Sequence, residues 1–406
     1  MRWPPETFLR WKLEALTRRG VRVTVASPAS THDPRFRLPG VRIVRVPDWG
    51  EPTRLLVLGV LVEGMRLLAR RPWRLPRLVR AVRRVLPKSA RPIYVLALVR
   101  SYLPLARLRP DVVHFEWNPD AVHYLPLTEV WRCPTVTSCH GGGVSVYPHA
   151  PDNRRLRNGL PETFRRVDAV HCVSGATAAE AGRWGLDPAA ARIIHPAVDP
   201  AFFHPPPTAA AGGPELRLVA VSWLRWLKGY EYALLAVRRL LDRGVPVRLD
   251  VLGAEPHPPQ GPSGEVQRMR FTIDDLALSD RVALHGHVSS ETVRARLHQS
   301  DALLHASLAE GIPTVVLEAM ACALPVVVTD CGGVREAVRD GVEGFVVPPR
   351  EPDAIARALE QLWREPALRT EMGQAGRERV VAEFGLERQV RSYMVLYHEL
   401  TRARAG

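Results

Sequence analysis

Lysine is almost absent: Lys12, Lys88 and Lys228 are the only three in 406 residues. Arginine therefore carries the positive charge. Lys plus Arg total 56 against 42 Asp plus Glu, a net charge of +14. Cysteine is scarce too, at five, and the five show no CxxC or Cys/His ligand spacing. That excludes a disulfide-stapled fold and a zinc module, and predicts reduced, mostly buried thiols. Long apolar runs are missing. The run at residues 55–62, between Arg54 and Glu63, has eight residues, whereas a bilayer-spanning helix needs roughly 20. The first fifteen residues hold no apolar core of signal-peptide length, so the sequence predicts a cytoplasmic chain. Residues 64–110 contain no acid at all.

What is present is ordinary globular material, 46% apolar and 24% charged. It excludes a disordered or fibrous chain. The length predicts two or three domains. The excess of arginine points to anionic partners, although richness in Arg, Ala, Pro and Val also fits a bias of genome composition.

Two α/β halves emerge from periodicity. A loose helical stripe at Phe8, Trp11, Leu13 and Leu16 ends at Gly20, and strand patterns follow at 21–26 and 41–46. Further strands are expected at 111–115, 134–138 and 169–173, with helices between them. Residues 204–215 are Pro/Gly-rich and read as a linker. Beyond it, strands are expected at 216–222, 248–252, 282–285, 302–305, 325–329 and 344–347. Helices are expected at 230–243, 291–299, 315–321, 334–338, 352–365 and 368–383. The resulting division is 1–203, 204–215, 216–386 and a final helix at 387–406 that crosses back to the first domain in one arrangement. Strand–helix alternation implies parallel sheets, so the fold class is α/β, with two doubly wound domains facing a cleft across their strands' carboxyl ends. One strand is missing: the first helix starts near residue 6 with none before it. Losing a central strand would expose apolar faces on its neighbours, so a trimmed or late start is the expected cause.

Three segments carry candidate chemistry. In Glu310-Gly-Ile-Pro-Thr-Val-Val-Leu-Glu318, Gly311 and Pro313 mark a tight turn into a helix whose first amides are free for an anion. Glu318 then lies close enough to accept from a ligand's hydroxyls. In Ser222-Trp-Leu-Arg-Trp-Leu-Lys228-Gly229, Lys228 sits beside a helix start as a point charge for phosphate. In Thr137-Ser-Cys-His140-Gly-Gly-Gly143, a strand delivers a histidine to three glycines that let a ligand approach the backbone. Each has a plainer reading. Glu310 could cap its loop, Glu318 could pair with a surface arginine, and Arg225 and Lys228 could be loop surface. Ser174 reads first as a helix cap.

The stretch from Glu310 through Ala319-Met-Ala-Cys-Ala-Leu-Pro-Val-Val to Gly332-Gly333-Val-Arg-Glu336 resembles the family-four retaining glycosyltransferases of the GT-B fold. Their pattern is E-x7-E, then E-A-M-A-x-G-x-P-V-V and G-G-x-x-E. Ala323 stands where the family usually has glycine, a change that a slightly wider turn would tolerate. The resemblance implies that Glu310 and His140 contact the donor sugar and are the catalytic pair. It implies donor binding by Lys228, Gly311, Ile312, Pro313, Thr314 and Glu318, the last holding the ribose diol. Trp223 occupies the family's phosphate-binding arginine position, and Arg225 is the candidate replacement. The block at 227–235 is similar to the branch that builds exopolysaccharides such as colanic acid.

The implied activity is transfer of a sugar, with retention, from a nucleotide-sugar to an acceptor hydroxyl in cell-surface polysaccharide or glycolipid synthesis. No cofactor and no metal is expected, because no DxD motif is suitably placed. Base recognition is expected from backbone near 286–288. A sugar-nucleotide epimerase would need further acid/base carboxylates, and a purely binding protein would need no glutamate pair. The 13 cations of residues 64–110, interleaved with Leu, Val and Trp73, fit a solvated helix face. They fit equally a helix pair lying on an anionic membrane surface, which would place the enzyme peripherally on the inner face near a carbohydrate or lipid-linked acceptor. No nucleic-acid-binding signature is present.

Overall fold

The computed structural model describes residues 7–28, 37–47, 53–85, 91–207, 213–255 and 264–405. Part of the expected linker, at 208–212, lies outside the described residues, as does Lys88 of the basic stretch.

Among the described residues, twelve strands form three sheets, and every pairing between them is parallel. The first half holds β1 (Val23–Pro28), β2 (Val41–Val46), β3 (Val113–Phe115), β4 (Thr135–Cys139), β5 (Ala169–Cys172) and β6 (Arg192–Ile193). The second half holds β7 (Leu216–Val221), β8 (Val247–Leu252), β9 (Val282–Leu284), β10 (Ala302–His305), β11 (Val326–Thr329) and β12 (Gly344–Val347). β10 and β11 are buried throughout, which is why they read as continuous apolar runs without alternation.

The second sheet runs β12-β11-β10-β7-β8-β9. The chain lays down β7, β8 and β9 in one direction, then jumps back beside β7 to place β10. That reversal opens a crevice beyond the carboxyl ends of β7 and β10, where such sheets bind ligands. The loops leaving these two strands carry Lys228 and Glu310.

The first half is split. β1 and β2 form one sheet, and β3-β4-β5-β6 form another. Among the described residues no strand joins β1 to β3, so the first half holds two separate sheets. The basic stretch is not a helix pair. It lies in three helices, Thr53–Arg70, Leu75–Val85 and Pro92–Ala106, the first starting upstream of the stretch. A helix at Gly264–Asp275 also goes beyond the sequence reading.

The last helix, Leu386–Ala405, returns to the first half. Leu386 and Val390 pack with Ala15 and Leu16, and Tyr393 and Leu396 pack with Val136 and Ile194. Tyr397 hydroxyl lies 2.6 Å from His114 Nδ1.

Candidate active site

Lys228 ends a short 3-10 turn, Trp226–Lys228, and Gly229 follows at φ 60°. A Cβ at Gly229 would stand 2.1 Å from the Ala306 carbonyl oxygen. Only glycine allows that approach. The amide of Leu308 donates to the Leu227 carbonyl at 2.7 Å. The loops after β7 and β10 are thereby zipped together, and Lys228 Nζ donates to Glu310 Oε1 at 2.5 Å.

Two more groups converge on the same oxygen. Ser307 Oγ donates at 2.7 Å, and His305 Nε2 lies 2.8 Å away. Burial alone would raise the Glu310 carboxyl; the Lys228 ammonium and the His305 hydrogen bond outweigh it and hold the group well below its usual range. Oε2 has no protein partner among the described residues. The plain reading of Glu310 as a loop cap therefore gives way to a fixed carboxylate with one oxygen unused.

Gly311, Ile312 and Pro313 are buried, and Thr314 opens the helix Thr314–Ala321. Ile312 belongs to the core of the second half. The first amides of this helix have no intrahelical acceptor. Glu318 sits one turn further in. No arginine pairs with it among the described residues, and burial pushes its carboxyl up to about 7.

From the other half, His140 follows β4. Its Nε2 lies 3.1 Å from Glu116 Oε1, and its ring is 4.7 Å from that of Trp117. Glu116 is buried and takes Lys12 Nζ on both oxygens, at 2.6 and 2.5 Å. Burial would raise Glu116, but Lys12 and His140 keep it well below the ordinary carboxylate value. An ionised carboxylate only accepts. His140 Nε2 is therefore the donor in this contact, and Nδ1 has no protein partner among the described residues. Lys12 and Glu116 escaped the sequence reading. Both left a signal: Lys12 is a rare lysine inside an apolar helical stripe, and Glu116 directly follows a strand's carboxyl end.

The two halves meet at glycines. A Cβ at Gly141 (φ 95°) would stand 2.7 Å from the Gly311 nitrogen. The Gly333 amide donates to the Gly311 carbonyl at 2.6 Å. Glu336 crosses the junction and caps the helix Gly175–Gly182: Oε2 accepts from the Gly175 amide and Oε1 from the Ala176 amide, both at 3.0 Å. Ser174 caps the same helix through the Thr177 amide, as expected. The structure thus brings His140, Lys228, Glu310 and the 311–314 turn to one cleft. Arg225 lies on the Lys228 loop, but its Nη1 donates across the cleft to Tyr147 hydroxyl at 2.8 Å. Trp223 stacks on His287 at 6.0 Å and 15°, beside the segment expected to meet the base. Ala323 does not sit in a widened turn. It adopts the left-handed conformation at φ 55° that glycine would take without strain.

Two parallel-sheet halves with such a cleft define the GT-B type of fold, and the comparisons agree. The family described as Glycosyltransferase Family 4 matches residues 6–202, and the family described as Glycosyl transferases group 1 matches residues 209–379. The chain belongs to the family-four glycosyltransferases. It is 30% identical over 263 residues to the putative colanic acid biosynthesis glycosyltransferase WcaL of Escherichia coli, a match covering 62% of this chain and 61% of that protein. It is 27% identical over 338 residues to the D-inositol 3-phosphate glycosyltransferase of an Arthrobacter species, covering 78% and 77%. Among solved structures, sucrose-phosphate synthase from Thermosynechococcus elongatus superposes with a TM-score of 0.76 at 21% identity, over 98% of this chain and 93% of that one. HepE of Anabaena in complex with UDP gives 0.71 at 17% identity, over 98% of each.

Proposed function

We infer that the protein moves a sugar from a nucleotide-sugar donor to an acceptor hydroxyl, with retention, in the synthesis of a cell-surface polysaccharide or glycolipid. The observation that carries this reading is the convergence of Lys228, Glu310 and the free amides of the 311–314 turn on the crevice between β7 and β10, opposite His140. Lys228 and the amides meet the diphosphate, so the reading needs no metal cofactor. Glu318 accepts from the ribose hydroxyls. His140 Nδ1 and Glu310 Oε2, each without a protein partner among the described residues, are the groups left for the sugar.

In the proposed step the bond between the sugar's anomeric carbon and the phosphate oxygen breaks, and its electron pair stays on the diphosphate. The acceptor oxygen attacks the same face, and its proton passes to the departing phosphate oxygen. Catalysis then rests on stabilising the leaving charge and positioning both partners. Titration of UDP-, GDP- and ADP-sugars, with nucleotide release as the readout, tests the assignment. UDP-sugars come first because HepE is bound to UDP-glucose in one of its structures. No release from any of them with a carbohydrate acceptor present would overturn it.

The acceptor side supports a lipid surface. Leu58, Leu61, Met65 and Leu68 form one stripe of the helix Thr53–Arg70 and are 46–62% exposed. Not all the surrounding cations are available. Arg74 is buried on the Ala106 and Leu108 carbonyls, and Arg107 pairs with Glu63. Arg70, Arg80, Arg83 and Arg109 remain exposed. An exposed apolar stripe in a half that also carries exposed arginines fits an anionic leaflet, here the inner face of the cell membrane, presenting a lipid-linked acceptor. Among the described residues no helix is long and apolar enough to cross a membrane.

A further inference from the structure

The mechanism above leaves a second strongly charged place unused. A cavity of about 360 Å³ opens at the foot of the β3-β4-β5-β6 sheet. Five arginines line it: Arg77, Arg80, Arg132, Arg166 and Arg404. They come from four separate parts of the chain. Arg77 and Arg80 lie one helical turn apart, Arg132 closes a short helix in the left-handed conformation at φ 54°, Arg166 ends the helix Arg154–Arg166, and Arg404 lies at the end of the last helix.

Among the described residues only two carboxylates share the wall, Glu129 and Asp168, and both are engaged. Glu129 pairs with Arg84 and, at 3.1 Å, with Arg166. Asp168 accepts from the Thr135 amide at 2.8 Å and hydroxyl at 2.9 Å, and lies 3.7 Å from Arg404. Arg77, Arg80 and Arg132 have no carboxylate partner among the described residues. Three uncompensated guanidinium groups around one cavity repel each other and create a strongly positive potential. Guanidinium forks match phosphate oxygens two at a time. No aromatic side chain lines the wall, so nothing there would stack on a base or a sugar ring.

The position separates this cavity from the cleft. Thr135 is the first residue of β4, and Asp168 immediately precedes β5. His140 lies beyond the other end of β4, roughly 16 Å away at the usual rise per residue. The geometry points to a second, non-catalytic site for a compact, phosphate-rich anion, a diphosphate group, at the amino ends of the strands of the first half. Such a group occurs free and as the headgroup of a lipid, and the chemistry of recognition is the same. Because Arg404 belongs to the helix that starts at the junction of the two halves, the bound anion also pins that helix to the first half.

The probe is inorganic pyrophosphate, titrated calorimetrically into the full chain. Lys228→Ala removes the donor-site contribution, and this variant is expected to keep one saturable pyrophosphate site. Adding Arg77→Gln and Arg132→Gln should weaken that site at least tenfold. Arg80→Gln alone, a single exposed change, should weaken it about threefold. Arg83→Gln, on the same helix but off the wall, should leave it unchanged. A Lys228→Ala protein that binds no pyrophosphate, or an Arg83→Gln loss equal to that of the double change, overturns the proposal. Phosphatidylcholine vesicles with and without a lipid bearing a diphosphate headgroup separate the sources. If the anion is lipid-borne, pyrophosphate and the double change both lower retention on the diphosphate-lipid vesicles to that on the plain ones. If it is free, pyrophosphate binds while vesicle retention stays the same.

Discussion

Lys228 Nζ and Glu310 Oε1, 82 residues apart in sequence, are 2.5 Å apart in space. The cation assigned to the donor's diphosphate is thus already neutralised by the carboxylate assigned to the donor's sugar. Each holds the other in place. On the proposed assignment, an incoming diphosphate shares Lys228 with Glu310, which couples binding to sugar positioning through this one contact.

That coupling separates two variants. Lys228→Ala should weaken UDP at least tenfold, about 1.4 kcal/mol, and uridine much less. Glu310→Gln leaves Lys228 unopposed. It should bind UDP as tightly as the wild type, or more tightly, while sugar transfer falls by roughly 10²-fold. Calorimetry and a transfer assay on the same preparations read both quantities. Equal loss for uridine and UDP in Lys228→Ala would show that this lysine does not meet phosphate.

Glu318 gives a pH dependence. Its carboxyl is pushed up from 4.5 to about 7 by burial alone. Only the ionised form offers acceptors to both ribose hydroxyls, so nucleotide affinity should rise about tenfold from pH 6 to pH 8, and Glu318→Gln should flatten the profile. Stability has the opposite sign. A folded-state value above the unfolded one means that the folded chain binds the extra proton between pH 4.5 and about 7. Stability therefore falls as pH rises through that window. Glu318→Gln should melt higher than wild type at pH 8 and show little difference at pH 4. A flat wild-type affinity profile would remove Glu318 from the diol site.

The sequence showed much of this arrangement, and the exceptions share a cause. β10 and β12 fall at their expected residues, because buried parallel strands are short apolar runs bounded by turns. The helix Gly264–Asp275 has apolar residues at Val266, Met269 and Ile273, a helical spacing obscured by the Pro-rich segment before it. Among the candidate residues, Lys228, Glu310 and Glu318 were legible because the loops after β7 and β10 carry local glycine and proline signals. The Lys12–Glu116 pairing was not, since it spans 104 residues and no local pattern encodes it. The same holds for Glu336. Its motif was visible, but its hold on the Gly175 and Ala176 amides depends on how the two halves meet.

Ala323 offers a test of backbone strain alone. It holds φ 55° between the helix Thr314–Ala321 and β11. A residue with a Cβ loses roughly 1–2 kcal/mol there, offset in part by the greater freedom of glycine in the unfolded chain. Ala323→Gly should stabilise the protein by about 1 kcal/mol, or roughly 2–4 °C in Tm, without altering nucleotide binding. A lower Tm would mean that the Ala323 methyl contributes packing that outweighs the strain.

The membrane reading now rests on an apolar stripe as well as on charge, and the two can be separated. Leu61 and Met65 are 58% and 62% exposed on the outer face of the helix Thr53–Arg70, while Leu56 and Leu67 anchor its inner face. Leu61→Glu with Met65→Glu should therefore leave the fold intact, because neither side chain packs in the core. Burying a leucine-sized group in the interface contributes about 1.5–3 kcal/mol, and each nearby arginine adds about 1 kcal/mol on an anionic surface. Co-sedimentation with vesicles containing phosphatidylglycerol should fall at least tenfold in the double variant at any salt concentration. Wild-type binding should weaken with salt but persist in part, since screening acts on the arginines and not on the stripe. Reversing Arg70 and Arg83 to Glu should abolish only the salt-sensitive share. If the Leu61/Met65 variant sediments like the wild type, this helix does not enter the bilayer, and an acceptor free in solution becomes the better assignment.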